Sequence, residues 1–286
     1  MTLSSLETLC TLCKLARPKN IEIKERYWYA KIGAPIGGKV VHEKYGPLIG
    51  NQEYRKSQWK KWWDTKGKFR MNSVLLEKRV HLPKQSPLLA EFMGIMLGDG
   101  GITKYQFRIS LNGKTDKKYS LYVRNLIKKL FRIRAKKQLR KQSDGIDIVV
   151  SRKGINKYLI LLGLKSGDKL KQNLDIPEWI MKNKKYQKMC LRGLIDTDGC
   201  LFYETHLIKG KKYSYPRLNF VTASPSLATS VFNILIDLNF KARLRKNGRN
   251  SAVQLENKAE IWQYFKTIGT SNPKHLNRWH ILGRRV

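Results

Sequence analysis

Leu88-Leu89-Ala90-Glu91-Phe92-Met93-Gly94-Ile95-Met96-Leu97-Gly98-Asp99-Gly100-Gly101 and Met189-Cys190-Leu191-Arg192-Gly193-Leu194-Ile195-Asp196-Thr197-Asp198-Gly199-Cys200 say one thing twice. Each reads as an apolar helix with small residues four positions apart, Gly94 and Gly98 in one, Gly193 and Thr197 in the other. That spacing clears a stripe on one helix face, so two such helices can pack backbone to backbone. Each would then deliver its last carboxylate, Asp99 or Asp198, to the same end of the interface. A helix C-terminus is the negative end of the macrodipole and disfavours anions. Two carboxylates placed there side by side make sense with a cation between them. Gly100 and Gly199 follow directly and are expected to be helix caps at positive φ.

On these residues the chain resembles the LAGLIDADG homing endonucleases. Leu191-Arg192-Gly193-Leu194-Ile195-Asp196-Thr197-Asp198-Gly199 matches the family name in seven of nine positions. Phe92-Met93-Gly94-Ile95-Met96-Leu97-Gly98-Asp99-Gly100 keeps the glycines, the apolar character and the final acid, and departs at Leu97, where the family name carries its first acid; Met93 and Arg192 replace the family's Ala. The resemblance covers residues 86–282. It implies an α+β fold in which tandem pseudo-symmetric αββαββα repeats form a DNA-binding saddle. The expected domains are an N-terminal extension at 1–85 and repeats at 86–183 and 184–286.

The duplication extends past the two motifs. After Asp99 comes a strand-like segment from Gln106 to Leu111; after Asp198 comes a longer loop and then strand-like Arg217–Val221. Amphipathic helices follow at Asp116–Phe131 and Pro225–Leu238, then basic-apolar alternation at Ile133–Arg140 and Phe240–Lys246. Further strands fall at Ile146–Ser151 and Ala252–Leu255, and helices at Gly154–Leu162 and Ala259–Ile268. Related turns close the halves, Ser166-Gly167-Asp168-Lys169 and Ser271-Asn272-Pro273-Lys274.

Period-two alternation assigns the strand faces. Phe107, Ile109 and Leu111 point one way; Gln106, Arg108, Ser110 and Asn112 point the other. Lys136, Gln138 and Arg140, then Arg217 and Asn219, then Lys241, Arg243 and Arg245 continue that polar set. Arg, Lys, Gln, Asn and Ser are the side chains that read base edges in a major groove. An ordinary solvated sheet face is the competing reading for any one strand. Because the halves have diverged, the expected target is long and asymmetric.

Phosphodiester hydrolysis needs an activated water and charge neutralisation. Mg²⁺ keeps several waters and is content with a few carboxylates plus substrate phosphates, and other divalent cations are admissible. Asp99 and Asp198, with Gly98 and Thr197 beside them, are the expected metal site. The family uses a lysine late in each repeat near the attacking water; the matching positions are Lys169 and Lys274, for which phosphate contact is the competing role. Gln106 either orients water or contacts a base. Asp196 is turned away from the shared face and is expected to cap or bridge the interface; Glu91 and Glu204 are expected to be structural or solvated.

Composition points the same way. Lys and Arg number 58 against 21 Asp and Glu, a formal charge of +37 spread through every segment. Such a chain repels itself unless a polyanion is its partner, which makes double-stranded DNA the first expectation and intron RNA the second. A ribosomal-type structural protein and a membrane-surface protein are the bland alternatives. No apolar run is long enough to span a bilayer. Leu3–Ala16 lacks a basic start for secretion, and four irregular cysteines suit a reducing intracellular compartment, cytoplasm, nucleoid or organelle. Cys10 and Cys13 have the spacing of half a zinc site without a second half; buried thiols on a short helix are the simpler reading.

The first 85 residues are less legible. Gly33-Ala34-Pro35-Ile36-Gly37-Gly38-Lys39-Val40 after strand-like Tyr27–Ile32 nearly satisfies a phosphate-loop pattern, but Val40 stands where Ser or Thr is needed. A flexible glycine turn is expected instead. Tyr54–Asp64 reads as a basic helix with Trp59, Trp62 and Trp63 grouped as a docking stripe and Arg55, Lys56, Lys60 and Lys61 turned toward phosphate. Lys78–Pro87 reads as the linker.

The sequence therefore predicts an intron-encoded, monomeric, metal-dependent, site-specific double-strand endonuclease. Its rival is a non-cleaving nucleic-acid-binding protein of the same fold, an RNA maturase or transcriptional regulator. Met1 in place of a nucleophilic first residue, and Arg284-Arg285-Val286 in place of a terminal His-Asn, argue against a complete intein.

Overall fold

The computed structural model describes residues 2–24, 27–45, 52–69, 79–140, 143–169 and 172–283. They fall into two units, Met1–Leu76 and Glu77–Val286.

The first unit is helical. Thr2 caps α1 (Leu3–Leu12) by accepting from the Ser5 amide at 3.1 Å. No residue of α1 is buried, so Cys10 is half-exposed and Cys13 exposed rather than buried as expected. α2 (Trp28–Tyr45) runs straight through the glycine-rich segment with Pro35 inside it. That overturns both the expected strand at Tyr27–Ile32 and the glycine turn, and removes the strand–turn–helix frame a phosphate loop requires. Trp28, Ile32, Ile36 and Val40 recur every four residues, the spacing of one helix face, and all four are exposed. α3 (Gln52–Thr65) carries Trp59 stacked on Trp63 at 5.7 Å between centroids. Trp62 and Trp63 close over the short 3₁₀ turn Gly67–Phe69, where a Cβ on Gly67 would lie 2.6 Å from the Trp63 ring. These tryptophans thus pack on their own turn.

The second unit repeats one order of elements. The first pass is α4 (Pro87–Gly98), β1 (Gly100–Ile102), β2 (Phe107–Asn112), α5 (Lys117–Phe131), β3 (Lys136–Leu139), β4 (Gly145–Val150) and α6 (Lys153–Leu161), followed by a short α7 (Glu178–Met181). The second is α8 (Lys184–Asp198), β5 (Gly199–Ile208), β6 (Lys211–Thr222), α9 (Pro225–Asp237), β7 (Arg243–Asn247), β8 (Asn250–Leu255) and α10 (Lys258–Thr267), closed by α11 (Pro273–Gly283). Each pass builds a four-stranded antiparallel sheet, ordered β1-β2-β4-β3 and β5-β6-β8-β7.

The central helices are built to be buried. Ser86 caps α4 at the Leu89 amide and Pro87 takes the first helical position, where its missing N–H costs nothing. Leu89 through Leu97 are all buried. The sheets back onto these helices with alternating faces: β2 alternates from buried Phe107 to exposed Asn112. Phe92 meets Phe107 and Phe131 edge-on at 5.6 and 5.4 Å, and those two rings lie tilted at 6.5 Å, tying α4, β2 and α5 together.

Two sequence expectations are corrected here. The stretch between Asp198 and Arg217 is no loop but a continuous ladder, from Gly199 opposite Phe220 to Ile208 opposite Lys211. Lys209 (φ 50°) and Gly210 (φ 75°) supply the two left-handed residues of a tight hairpin turn, a signal that Lys-Gly hides better than Asn-Gly would. Of β6, Leu218–Thr222 alone pair with β8, so the outer ribbon is two-stranded. Second, Gly100 and Gly199 are not at positive φ; Gly199 is extended at φ −78°, ψ 153°. Glycine is needed there for close approach instead. A Cβ would lie 2.5 Å from the Met96 Cα at Gly100 and 2.4 Å from the Ile195 oxygen at Gly199.

Candidate active centre and nucleic-acid interface

The small residues of α4 and α8 do what their spacing requires. A Cβ on Gly94 would sit 2.1 Å from the Cys190 carbonyl oxygen, and one on Gly193 2.3 Å from that of Glu91. Gly98 faces Thr197 and Asp198: its Cβ would come within 2.1 Å of the Thr197 hydroxyl and 3.2 Å of the Asp198 carboxylate. The carboxylate of one helix thus lies over the last turn of the other, next to Asp99. The Thr197 hydroxyl itself donates back to Gly193 and Leu194 at 3.0 Å, so its side chain serves the helix contact.

Burial and mutual repulsion define the electrostatics. Burial first, and then the Asp198 charge, push the Asp99 carboxyl up to about 7. Burial also raises Asp198, opposed by Lys169 and Lys274. Two desolvated acids that resist ionising together are a donor set waiting for positive charge. Among the described residues no cluster of three or more His, Cys, Asp or Glu exists. A cation here would therefore take two carboxylates and complete its shell with water or phosphate oxygens, which suits a hard divalent ion.

The two lysines of the closing turns both reach this end, by different routes. Lys169 Nζ donates to the carbonyls of Met96 (3.1 Å), Leu97 (2.9 Å) and Gly98 (2.5 Å), capping α4. Burial holds its ammonium below the usual range, against the pull of Asp198 and Asp99. The Gly98 carbonyl is thereby engaged by a lysine. Lys274 Nζ lies 3.2 Å from Asp116, a buried acid at the start of α5. Asn272 donates from one amide to both Asp116 (2.8 Å) and the Asp196 carbonyl (2.9 Å).

Asp196 points away from the centre and accepts from the Ser271 amide at 2.7 Å and from the Thr270 hydroxyl. Glu91 is fully buried and accepts from Tyr122 (2.7 Å), Ser271 (2.9 Å) and Arg192 (2.6 Å). Arg192, where the family name has Ala, thus bolts α8 to α4 through a buried ion pair. That network is not legible in the sequence because its four members are far apart in the chain.

Asp99 opens into a 290 Å³ pocket lined by Gln106, Arg108 and Ser110; Asp198 opens into one of 400 Å³ with Lys169 and Thr222. Gln106 approaches Ser151 at 3.5 Å. Strand register puts the polar set of each sheet on one face. Arg108 and Lys136 flank Val149, and Ser110 and Gln138 flank Asp147. Arg140 follows Gln138 at the next outward position, with Asn112 opposite Gly145. In the second sheet Asn219 and Arg243 flank Gln254, with Arg217 and Arg245 two residues away on the same side. Lys241 precedes the strand, its amide donating to Glu260 at 3.0 Å. Leu244, which alternates with Arg243 and Arg245 along β7, is 42% exposed because β7 is an edge strand. Acids overlooked in the sequence sit among these cations: Asp147 and Glu256.

Paired helices with small-residue contacts, backed by two antiparallel sheets, define a fold similar to LAGLIDADG domains. The I-LtrWI LAGLIDADG homing endonuclease bound to target DNA superposes with a TM-score of 0.50 at 15% identity, covering 69% of this chain and 88% of that one. Mesophilic variants of the homing endonuclease I-DmoI give 0.45 at 18% identity, covering 64% and 95%. In sequence, the replication factor C small subunit of Methanocaldococcus jannaschii is 27% identical over 260 residues, which span 87% of this chain and 13% of that protein. No protein-family model matches.

Proposed function

We propose that this chain is a divalent-metal-dependent, site-specific double-strand DNA endonuclease. The observation that supports it most is the meeting of Asp99 and Asp198 at one end of the α4–α8 contact, both with carboxyls raised by burial. Fold stability alone does not call for two desolvated acids at the negative ends of two helices.

Asp99 and Asp198 would hold the cation, Mg²⁺ in the first instance, which would neutralise the scissile phosphates and acidify water. Gly98 and Thr197 pack beside the two acids at the helix contact. Lys169 and Lys274 bring positive charge to the same end and orient water or phosphate. The outer sheet faces bind the duplex, with Gln106, Arg108, Ser110, Asn112, Lys136, Gln138 and Arg140 on one half-site and Arg217, Asn219, Lys241, Arg243 and Arg245 on the other. A monomer with two unlike halves suits a long asymmetric target, and the basic N-terminal helices, residues 1–85, would add phosphate contacts.

The test is selective cleavage of a randomised duplex library by the protein, Asp99→Asn and Asp198→Asn, with Mg²⁺ and with chelator. Metal-dependent double-strand cuts at one long site, lost in both variants, are expected. If all three proteins select one sequence and none cuts, the chain is instead a binding protein of this fold, and structured RNA becomes the next ligand to assay.

A further inference from the structure

Glu256, at the end of β8, gathers three arginines. Arg245 Nη2 reaches one carboxylate oxygen at 2.6 Å and Arg243 Nη1 the other at 2.9 Å. Arg217 Nη1 donates to the Glu256 backbone carbonyl at 2.6 Å while its Nε meets Glu204 at 2.8 Å. The Glu256 side chain is only 19% exposed, whereas those of Arg243 and Arg245 are 66% and 54% exposed. Each of these two arginines touches the acid through one terminal nitrogen. A guanidinium has five N–H donors in a fixed fork, so most of each fork still faces outward. The first sheet also holds an acid among its cations, in a different geometry. Asp147 takes Arg140 through two bonds of 2.7 and 3.0 Å, accepts from Ser110 at 2.8 Å and lies 3.6 Å from Arg108.

These acids have no simple purpose if the face only attracts phosphate. A carboxylate there weakens the attraction, and acids are scarce in this chain, 21 against 58 basic residues. Partly exposed ion pairs contribute little to stability, about 0–1 kcal/mol, so folding does not explain them either. What a shared carboxylate does supply is geometry. Arg243 and Arg245 are like charges two residues apart on one strand and would otherwise splay. Their backbones stand about 6.7 Å apart along the strand, and the shared carboxylate draws the two forks together and fixes where each points.

We infer that Glu256 is a positioning residue for base recognition: it presents Arg243 and Arg245 as two fixed forks to two nearby guanine edges in the second half-site. This rests on the DNA-binding reading above.

Sequences bound by the full chain, by Glu256→Gln and by the Arg243→Lys/Arg245→Lys double variant are selected from a randomised duplex in Ca²⁺ without cleavage. Affinity for random duplex is measured alongside. The wild type should enrich guanines at two positions in one half-site. Glu256→Gln should lose that enrichment by roughly tenfold at those positions alone, about 1.4 kcal/mol of discrimination. Its affinity for random duplex should be unchanged or higher, because a negative charge is gone. The lysine variant keeps the charge and should lose the same two positions. A merely structural role would instead weaken every position of the half-site together. Unchanged guanine selection by Glu256→Gln overturns the inference while leaving the DNA-binding reading intact; a wild type that selects no sequence overturns both.

Discussion

The two halves of the core agree where the helices meet and differ everywhere around that meeting. α4 and α8 offer the same small-residue stripe and the same terminal acid. Their surroundings diverge: Lys169 is held by three carbonyls of α4, while its counterpart Lys274 is paired with Asp116. The N-cap that matches Asp116 in the second half is Ser224, whose hydroxyl donates to the Leu174 carbonyl at 2.6 Å, with no acid for a lysine. The opening strand is three residues long in one half and ten in the other. The difference teaches which contacts the duplication could not vary: those at which two backbones touch and two carboxylates share one end.

The sharpest way to break this comparison is to remove one acid at a time. Asp99→Asn and Asp198→Asn should each reduce single-turnover cleavage of the selected site by about 10³-fold or more. Survival of either activity would mean that the halves are unequal at their centre. Next in size is the helix contact. Gly193→Ala must displace the Glu91 carbonyl, 2.3 Å from the new Cβ, and should cost about 3 kcal/mol in denaturant unfolding. Gly33→Ala in α2, whose Cβ would meet nothing within 4 Å, should be neutral or stabilising by comparison.

The lysines then separate the halves. Lys169→Met and Lys274→Met should each slow cleavage by about 10- to 100-fold, with strand-resolved assays showing a different strand most affected in each. Lys274→Met should also lower stability, since it leaves Asp116 buried beside Asn272 without its cation.

The smallest effect is one of pH. Asp99, raised to about 7 from 3.8, keeps its proton longer folded than unfolded. Metal-free stability from this group is therefore full at low pH and declines as pH rises from about 4 through 7, by roughly 1–2 kcal/mol after allowance for solvent. Asp99→Asn should flatten that part of the profile and raise Tm at pH 8; added Mg²⁺ should narrow the gap by stabilising only the wild type. An unaltered slope in the variant would show that Asp99 is not held in the strained state described.

Legibility in the sequence followed the physics of each element. The repeated order of helices and strands could be read because period-3.6 and period-2 patterns survive in both halves, and the Asp99–Asp198 pairing because small residues every four positions have few other uses. The β5–β6 ribbon was missed because its outer residues are exposed on both faces, so Thr205, His206, Lys211 and Tyr213 show no buried alternation. α2 was missed because Gly37, Gly38 and Pro35 signal a turn, while its apolar spacing was the stronger cue. Glu256, Asp147 and Asp116 could not be found from spacing at all. Each acquires its meaning from arginines or lysines on another strand or in the other half, and an isolated acid in a basic sequence carries no hint of its partners.

The central claim is one shared cation site between unlike halves, and metal binding tests it without reference to turnover. Mn²⁺ bound to the protein–DNA complex would be counted by electron paramagnetic resonance in the wild type, Asp99→Asn, Asp198→Asn and the double variant. Tight Mn²⁺ that weakens in each single variant and disappears in the double one is the predicted result. Equal Mn²⁺ binding by the wild type and the double variant would contradict it.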